Sequence, residues 1–399
     1  MKTLSVNTII IGAGQAGLSV SYGLTRKKVA HRILEAKQVA DSWSSHRWNS
    51  FSLITPNYMT ILPGFKYKGN NPNGFDKRDM VVKFLKDYAK SFNAPVLTNT
   101  KVTLLTKNKK GFLAKTKNRT YQAKNVVISI GSFHKPQIPK VSKSIPRNIL
   151  QLHSSQYKNP SQLPNGPVLI VGGGNSGIQI TQDLNKAKRK VYLSIGRLRI
   201  VPRVYRGKDF MEWAKLLGAL DKTAEEATPE IKATIAPNLF GYKETIDLRK
   251  MAKNGIQLTG RLKDFKNGAF NFDNDLETNL EIGENTLTAF KNAVDQFAIK
   301  NKIRVSKEKN QKRSNFKPKP VSKLNSKEIG TIIWATGFVD DYSWLKIPVF
   351  DKNNEPIHKK GVSKIKGLYF IGLRWLSKYQ SFLLCGVAED AEYIAKQIN

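Results

Sequence analysis

One element of this chain occurs twice. "TIIIGAGQAG" spans Thr8 to Gly17, and "VLIVGGGNSG" spans Val168 to Gly177. In both, an apolar run of strand character meets a G-x-G-x-x-G spacing that opens a helix. Gly12 and Gly172 permit a tight turn, Gly14 and Gly174 let a pyrophosphate approach the backbone, and Gly17 and Gly177 let helix and strand pack closely. Gln15 and Ala16 in the first copy, and Asn175 and Ser176 in the second, then begin a helix whose N-terminus faces the phosphates. Two such loops call for two parallel sheets, and 399 residues suffice for both.

The surrounding pattern supports an α/β fold with two dinucleotide-binding, Rossmann-like domains. After the first loop come a helix (Ala16 to Leu24) and a strand, "HRILE", ending at Glu35. "RDMVVKFLKDYAKSF" (Arg78 to Phe92) puts Met80, Val81, Phe84, Leu85 and Tyr88 on one helical face, with Asp79 as a cap. A small antiparallel meander follows ("KVTLLT", "GFLAKT", "TYQAK"), then a strand from Asn125 to Gly131. The second loop begins a second unit, which ends in a polar tract, Lys300 to Lys327. "GTIIWATGF", "GLYFIGL" and a final helix need a sheet to join, so the second domain is inserted into the first. The expected division gives residues 1–165 and 326–399 to the first domain. Residues 166–325 form the second, with a helical insertion at about 209–253.

Composition narrows the function. The formal charge is +37, yet the lysines are spread through nearly every segment. The two densest runs, Lys107 to Arg119 and Lys300 to Lys323, lack interleaved aromatics that could stack bases, so no nucleic-acid partner is expected. No stretch is long and apolar enough to cross a bilayer. The apolar N-terminal run is the first phosphate loop itself and not a leader. The single cysteine, Cys385, forms no internal disulfide and fits a cytoplasmic protein. Five histidines (His31, His46, His134, His153, His358) show no paired ligand spacing, so no metal is expected.

The two loops differ downstream. Glu35 is placed to accept hydrogen bonds from ribose hydroxyls. The second unit's corresponding strand ends in Ser194, followed by Arg197 and, nearby, Arg199, Arg203 and Arg206. A guanidinium accepts a 2′-phosphate that a carboxylate would repel. These residues point to FAD held at the first site and NADPH visiting the second, with hydride passing between them. One cysteine cannot make a disulfide reductase, which leaves oxygen, a quinone or another electron carrier as acceptor.

Over nearly its whole length the chain resembles the class B flavin-dependent monooxygenases. The likeness is to the bacterial branch labelled as flavoproteins of metal or potassium transport, akin to the plant enzymes of auxin synthesis. It rests on "IIGAGQAG" with Glu35, "DSWSSHRWNSFSLITPNYMTILPG" (Asp41 to Gly64), "SIGSFHKPQIP", "LQLHSSQY", "VGGGNSG", "SIGRLRIVPRVYRGKD", "WATGF" and "GLYFIGLRWL". The resemblance implies an oxygen adduct at the flavin C4a that gives one oxygen atom of O2 to a small organic substrate. It places Trp43 and Arg47 along the FAD and makes Ala335-Thr336-Gly337 the connection between domains. Asn57 stands one place later than the asparagine that faces the flavin in many members. Of the family's linker signature, His153 and Tyr157 match, while Arg147 and Ile149 replace Phe and Gly. By residue type alone, Trp43, Trp48, His134 and His153 could equally be core residues. Two other readings stay open: an NADPH oxidase or reductase, and a transporter-associated redox sensor. The expected substrate pocket lies between the Phe51 to Pro63 loop and the 209–253 insertion.

Overall fold

The computed structural model describes residues 3–133, 135–227, 238–239, 241–308 and 313–399. The chain lays down β1 (Thr3–Ile11), α1 (Gln15–Arg26), β2 (His31–Leu34), α2 (Arg78–Ser91), β3 (Val96–Leu97) and β4 (Thr120–Ile128). It then leaves this sheet for another, made of β5 (Leu150–His153), β6 (Val168–Val171), β7 (Val191–Ser194), β8 (Gln257–Thr259) and β9 (Thr331–Trp334). α3 (Asn175–Lys186) follows β6, and α4 (Phe210–Leu216) and α5 (Leu276–Lys300) belong to the same excursion. The chain returns with β10 (Leu368–Phe370) and α6 (Val387–Gln397).

The parallel part of the first sheet runs β10-β4-β1-β2-β3, and the second runs β5-β9-β6-β7-β8. Both glycine loops thus leave a central strand. Ile9, Ile10, Val168 and Ile170 have no exposed surface. Such continuous apolar runs are what a parallel sheet covered on both faces requires. Each fully buried side chain of this size contributes roughly 1.5–3 kcal/mol.

Several local expectations are corrected. β5 and β9 join the second sheet, so this body reaches beyond the expected limits of 166 and 325. The third meander strand and the strand expected at 125–131 are one element, β4. α2 starts after Lys77 with no side-chain cap, and Asp79 instead pairs with Arg78 at 2.7 Å. Met80 is 51% exposed, off the apolar face that Val81, Leu85 and Tyr88 bury. Within the 209–253 insertion the described helices are only α4 and Leu248–Lys253, and residues 228–237 and 240 lie outside the described residues, as does His134. α5, at 25 residues, had no counterpart in the sequence reading. It buries Leu280, Leu287 and Val294. A methyl group on its Gly283 would come 2.5 Å from Leu198, so a bare backbone is needed where α5 packs on the segment from Leu198 to Ile200.

Candidate nucleotide and redox site

The two glycine loops have the same geometry. Gly12 and Gly172 take φ of +109° and +119°, a region open to glycine. A Cβ on Gly17 would lie 2.0 Å from the Gly12 carbonyl oxygen, and one on Gly177 would lie 1.9 Å from that of Gly172. These glycines let each helix start against its own strand. Gly14 and Gly174 are different: a Cβ there meets nothing within 4 Å. The space above them is open, at the N-termini of α1 and α3.

A second pair of segments completes each cradle. Ser129 follows β4 and donates from its amide to Ile11 O at 3.0 Å; Ala335 follows β9 and donates to Val171 O at 2.8 Å. "SIG" after β4 and "ATG" after β9 are therefore counterparts. Gly131 and Gly337 both have positive φ, and both look onto open space. The sequence reading singled out Thr336 and Gly337 but missed Ser129 and Gly131 as their equivalents. The signal was the repeated small-x-Gly after a buried strand.

The cradles part company at the edge. Gly12 donates to Leu34 O and Gly172 to Ser194 O, both at 2.9 Å. Leu34 is therefore the counterpart of Ser194, and Glu35 corresponds to Ile195, one residue later than expected. Glu35 accepts from the Ala13 amide at 2.7 Å and from the Lys37 amide at 2.9 Å. Ile195 is fully buried against Gly173. Of the four arginines, Arg203 is 2% exposed and bonds Asp209 and, at 2.7 Å, Ile54 O. Arg206 forks onto Asp295 at 2.9 and 3.0 Å. Arg197 and Arg199 are exposed and form no ion pair among the described residues. Arg261 is a further group that the sequence reading missed. Its guanidinium lies 3.4 Å from where a Cβ on Gly196 would stand. It reaches this edge from beyond β8, because Ile195 donates to Thr259 O as Glu35 does to Leu97 O.

Similarities to known proteins agree with this geometry. A family model described as pyridine nucleotide-disulphide oxidoreductase matches residues 9–207. An uncharacterized CzcO-like oxidoreductase of Geobacillus kaustophilus is 34% identical, with 98% of each chain covered. The chain belongs to the CzcO-like oxidoreductases. This is a branch of the class B flavin monooxygenase family, as the motifs implied. The probable indole-3-pyruvate monooxygenase YUCCA4 of Arabidopsis thaliana is 25% identical over 98% of this chain and 89% of its own. Among solved structures, the flavin-containing monooxygenase of Stenotrophomonas maltophilia shares the fold, with a TM-score of 0.68 at 19% identity. The similarity covers 99% of this chain and 98% of that one.

In this CzcO-like chain the two bodies are joined by two crossings that run side by side. Phe338-Val339 pairs antiparallel with Lys135-Pro136, and Gln137 donates to Gly337 O at 2.9 Å. Thr336 also bonds Gln137 O. His153, at the end of β5, locks the turn. The Ser155 amide can only donate, so Nδ1 accepts from it and Nε2–H donates to Gly337 O at 2.9 Å. Burial holds the His153 pKa below its ordinary value, favouring this neutral form. Tyr157 is fully buried and donates to Asp183 at 2.7 Å.

Trp43 and Arg47 come together near this junction. The Arg47 guanidinium lies over Trp43, Phe51 and Phe133 at 5.3 to 5.6 Å, and desolvation lowers its pKa to about 10. Asn57 is buried. Its amide donates to Asn71 O at 3.0 Å and accepts from the Asp76 amide at 2.6 Å, organising its own loop. Gln15 is likewise engaged, donating to Phe382 O at 2.9 Å. Among the described residues no group of three potential metal ligands comes together, and no helix is long and apolar enough to cross a membrane.

Proposed function

We propose that this CzcO-like oxidoreductase binds FAD at the first cradle and NADPH at the second, and transfers one oxygen atom from O2 to a small organic substrate. The observation that carries the reading is the pair of open cradles with unlike edges. A carboxylate at Glu35 suits the free ribose hydroxyls of FAD. Ile195 at the same place accepts no ribose hydrogen bond, and Arg197 and Arg261, which form no ion pair among the described residues, suit a 2′-phosphate. FAD, when bound, supplies hydride acceptance and oxygen activation. The chain's own part is to hold and exclude. Gly12, Gly14, Gly17 and the α1 N-terminus take one pyrophosphate; Gly172, Gly174, Asn175, Ser176, Gly177 and the α3 N-terminus take the other. Trp43 and Arg47 wall the flavin side, and Thr336-Gly337, fixed by His153, sets the approach of the two bodies.

The test is aerobic turnover of the FAD-loaded protein with NADPH and a panel of small organic substrates. Oxygenated product scored against hydrogen peroxide decides it. Oxygenated product in proportion to NADPH consumed is the expected result. NADPH oxidation that yields peroxide alone across the panel would make the protein an oxidase and overturn the oxygenase reading.

A further inference from the structure

The second body holds a cavity of about 650 Å³, a size that suits a small-molecule site. It is lined by Gln182 and Asn185 of α3, Ile246 and Met251, Leu287 of α5, and Arg313. Gln182 and Asn185 stand near the C-terminal end of α3, whereas the second cradle is at its N-terminus. At a rise of 1.5 Å per residue, that puts the cavity about 10 to 15 Å along the helix from the glycine loop. Charge is unevenly settled within it. Arg206 forks onto Asp295, Lys291 pairs with Glu308, and Lys250 lies 3.9 Å from Glu244. Asp247, the remaining carboxylate of the lining, accepts from the amides of Lys250 and Ser314, both at 2.9 Å. Two lining cations, Lys307 and Arg313, form no ion pair among the described residues. Arg313 is the sharper case. Its Nη2 donates to Ile246 O at 3.2 Å, but Nε and Nη1 are shut off from solvent and have no acceptor. Buried donors on a charged group are costly to leave so, and call for a partner.

We propose that this cavity is a further ligand site, which takes the phosphate monoester of a polyhydroxylated molecule such as a sugar phosphate. Arg313 and Lys307 receive the phosphate, whose charge of roughly −1.5 to −2 at neutral pH matches two free cations. The rest of the lining favours a hydroxylated body over a flat apolar one. Tyr205 is its one aromatic residue, and Arg206 and Lys291 already lie over that ring at 5.5 and 5.2 Å. The side chains of Gln182 and Asn185 make no hydrogen bond among the described residues, and Glu244 has only its long contact to Lys250. Two amides and a carboxylate are suitable partners for hydroxyl groups. The site lies wholly within the second body and apart from its cradle, so a nucleotide and this ligand occupy separate places.

Calorimetric titration of the FAD-loaded protein, without NADPH, tests the site. Glucose 6-phosphate, ribose 5-phosphate and glycerol 3-phosphate are each compared with inorganic phosphate and with the unphosphorylated parent. At least one ester should bind about tenfold or more tightly than both. Arg313→Gln and Lys307→Gln should each weaken that ester about tenfold. Lys307 is exposed, so its variant carries the test even where Arg313→Gln fails to fold. Gly174→Val, which obstructs the second cradle, should bind the ester as the native protein does. No ester binding across the panel, or inorganic phosphate binding as tightly as every ester, would overturn the proposal. So would loss of ester binding in Gly174→Val, because the phosphate would then sit at the glycine loop. Binding is read without NADPH or O2, so a failure of oxygenation leaves this result distinct.

Discussion

The two cradles are nearly one structure used twice, and they differ in a single row of residues. Strand, turn, open glycine and helix match from Gly12 to Gly17 and from Gly172 to Gly177, and even the "SIG" and "ATG" segments correspond. The difference lies at the edge, where Glu35 faces Ala13 in one and Ile195 fills the place in the other. On the function proposed above, backbone geometry takes a pyrophosphate in both, and the side chain at the end of the second strand chooses the nucleotide. A substitution in the shared part should abolish one site outright. One at the edge should only change its preference.

The largest effect is expected at Gly14 and Gly174, whose extended backbone accepts any residue and whose Cβ direction is empty of protein. Gly14→Val should fold with near-normal Tm yet lose FAD, seen as the vanished flavin absorbance of the purified protein. Gly174→Val should keep FAD and Tm but cut kcat/KM for NADPH by about 100-fold or more, the loss of roughly 2.7 kcal/mol of phosphate contact. If both variants lost FAD, the assignment of one nucleotide to each cradle would fail.

Next come the arginines of the second edge. Arg197→Ala and Arg261→Ala should each raise KM for NADPH about tenfold and leave KM for NADH unchanged, since only the former has a 2′-phosphate. Equal effects on both nucleotides would remove the role. A smaller shift should follow Ile195→Glu, which puts a carboxylate opposite the Gly173 amide as Glu35 stands opposite that of Ala13. The ratio of kcat/KM for NADH over NADPH should rise several-fold, and an unchanged ratio would mean that this position does not choose the nucleotide.

What the sequence made legible follows from how locally each feature is determined. The loops were readable because glycine spacing, apolar run and helix lie within a dozen residues. The counterpart of Glu35 was placed one residue early because register depends on which amide meets which carbonyl, and the flanking letters do not carry that. Arg261 was invisible for a longer-range reason. It arrives from beyond β8, on the far side of the 209–253 insertion, and only strand pairing brings it to Gly196. α5 was passed over because its apolar residues are interrupted by Gly283 and many polar side chains. The helix is specified by what it packs on, Leu198 and Ile200, more than by its own stripe. Asn57, a residue type suited to a cofactor, also holds its own loop, through Asn71 and Asp76, and its letter does not tell the two uses apart.

The smallest expected effect concerns the link between the cradles. His153 is buried, and its two nitrogens are committed as acceptor and donor, so its folded-state pKa lies below the ordinary value of about 6.5. Between those two pKa values the unfolded chain binds more protons than the folded one. Stability is thus fully present above pH 6.5 and is lost as pH falls below it. His31, His46 and His358 are shifted in the same direction, by desolvation first of all, and add to the slope. His153→Gln should therefore lower Tm at pH 8 but flatten, without abolishing, its fall between pH 7 and pH 5. A constant difference in Tm between the two proteins across that range would show that the histidine is not held neutral. The hydrogen bond to Gly337 would then be no reason for the fixed approach of the two bodies.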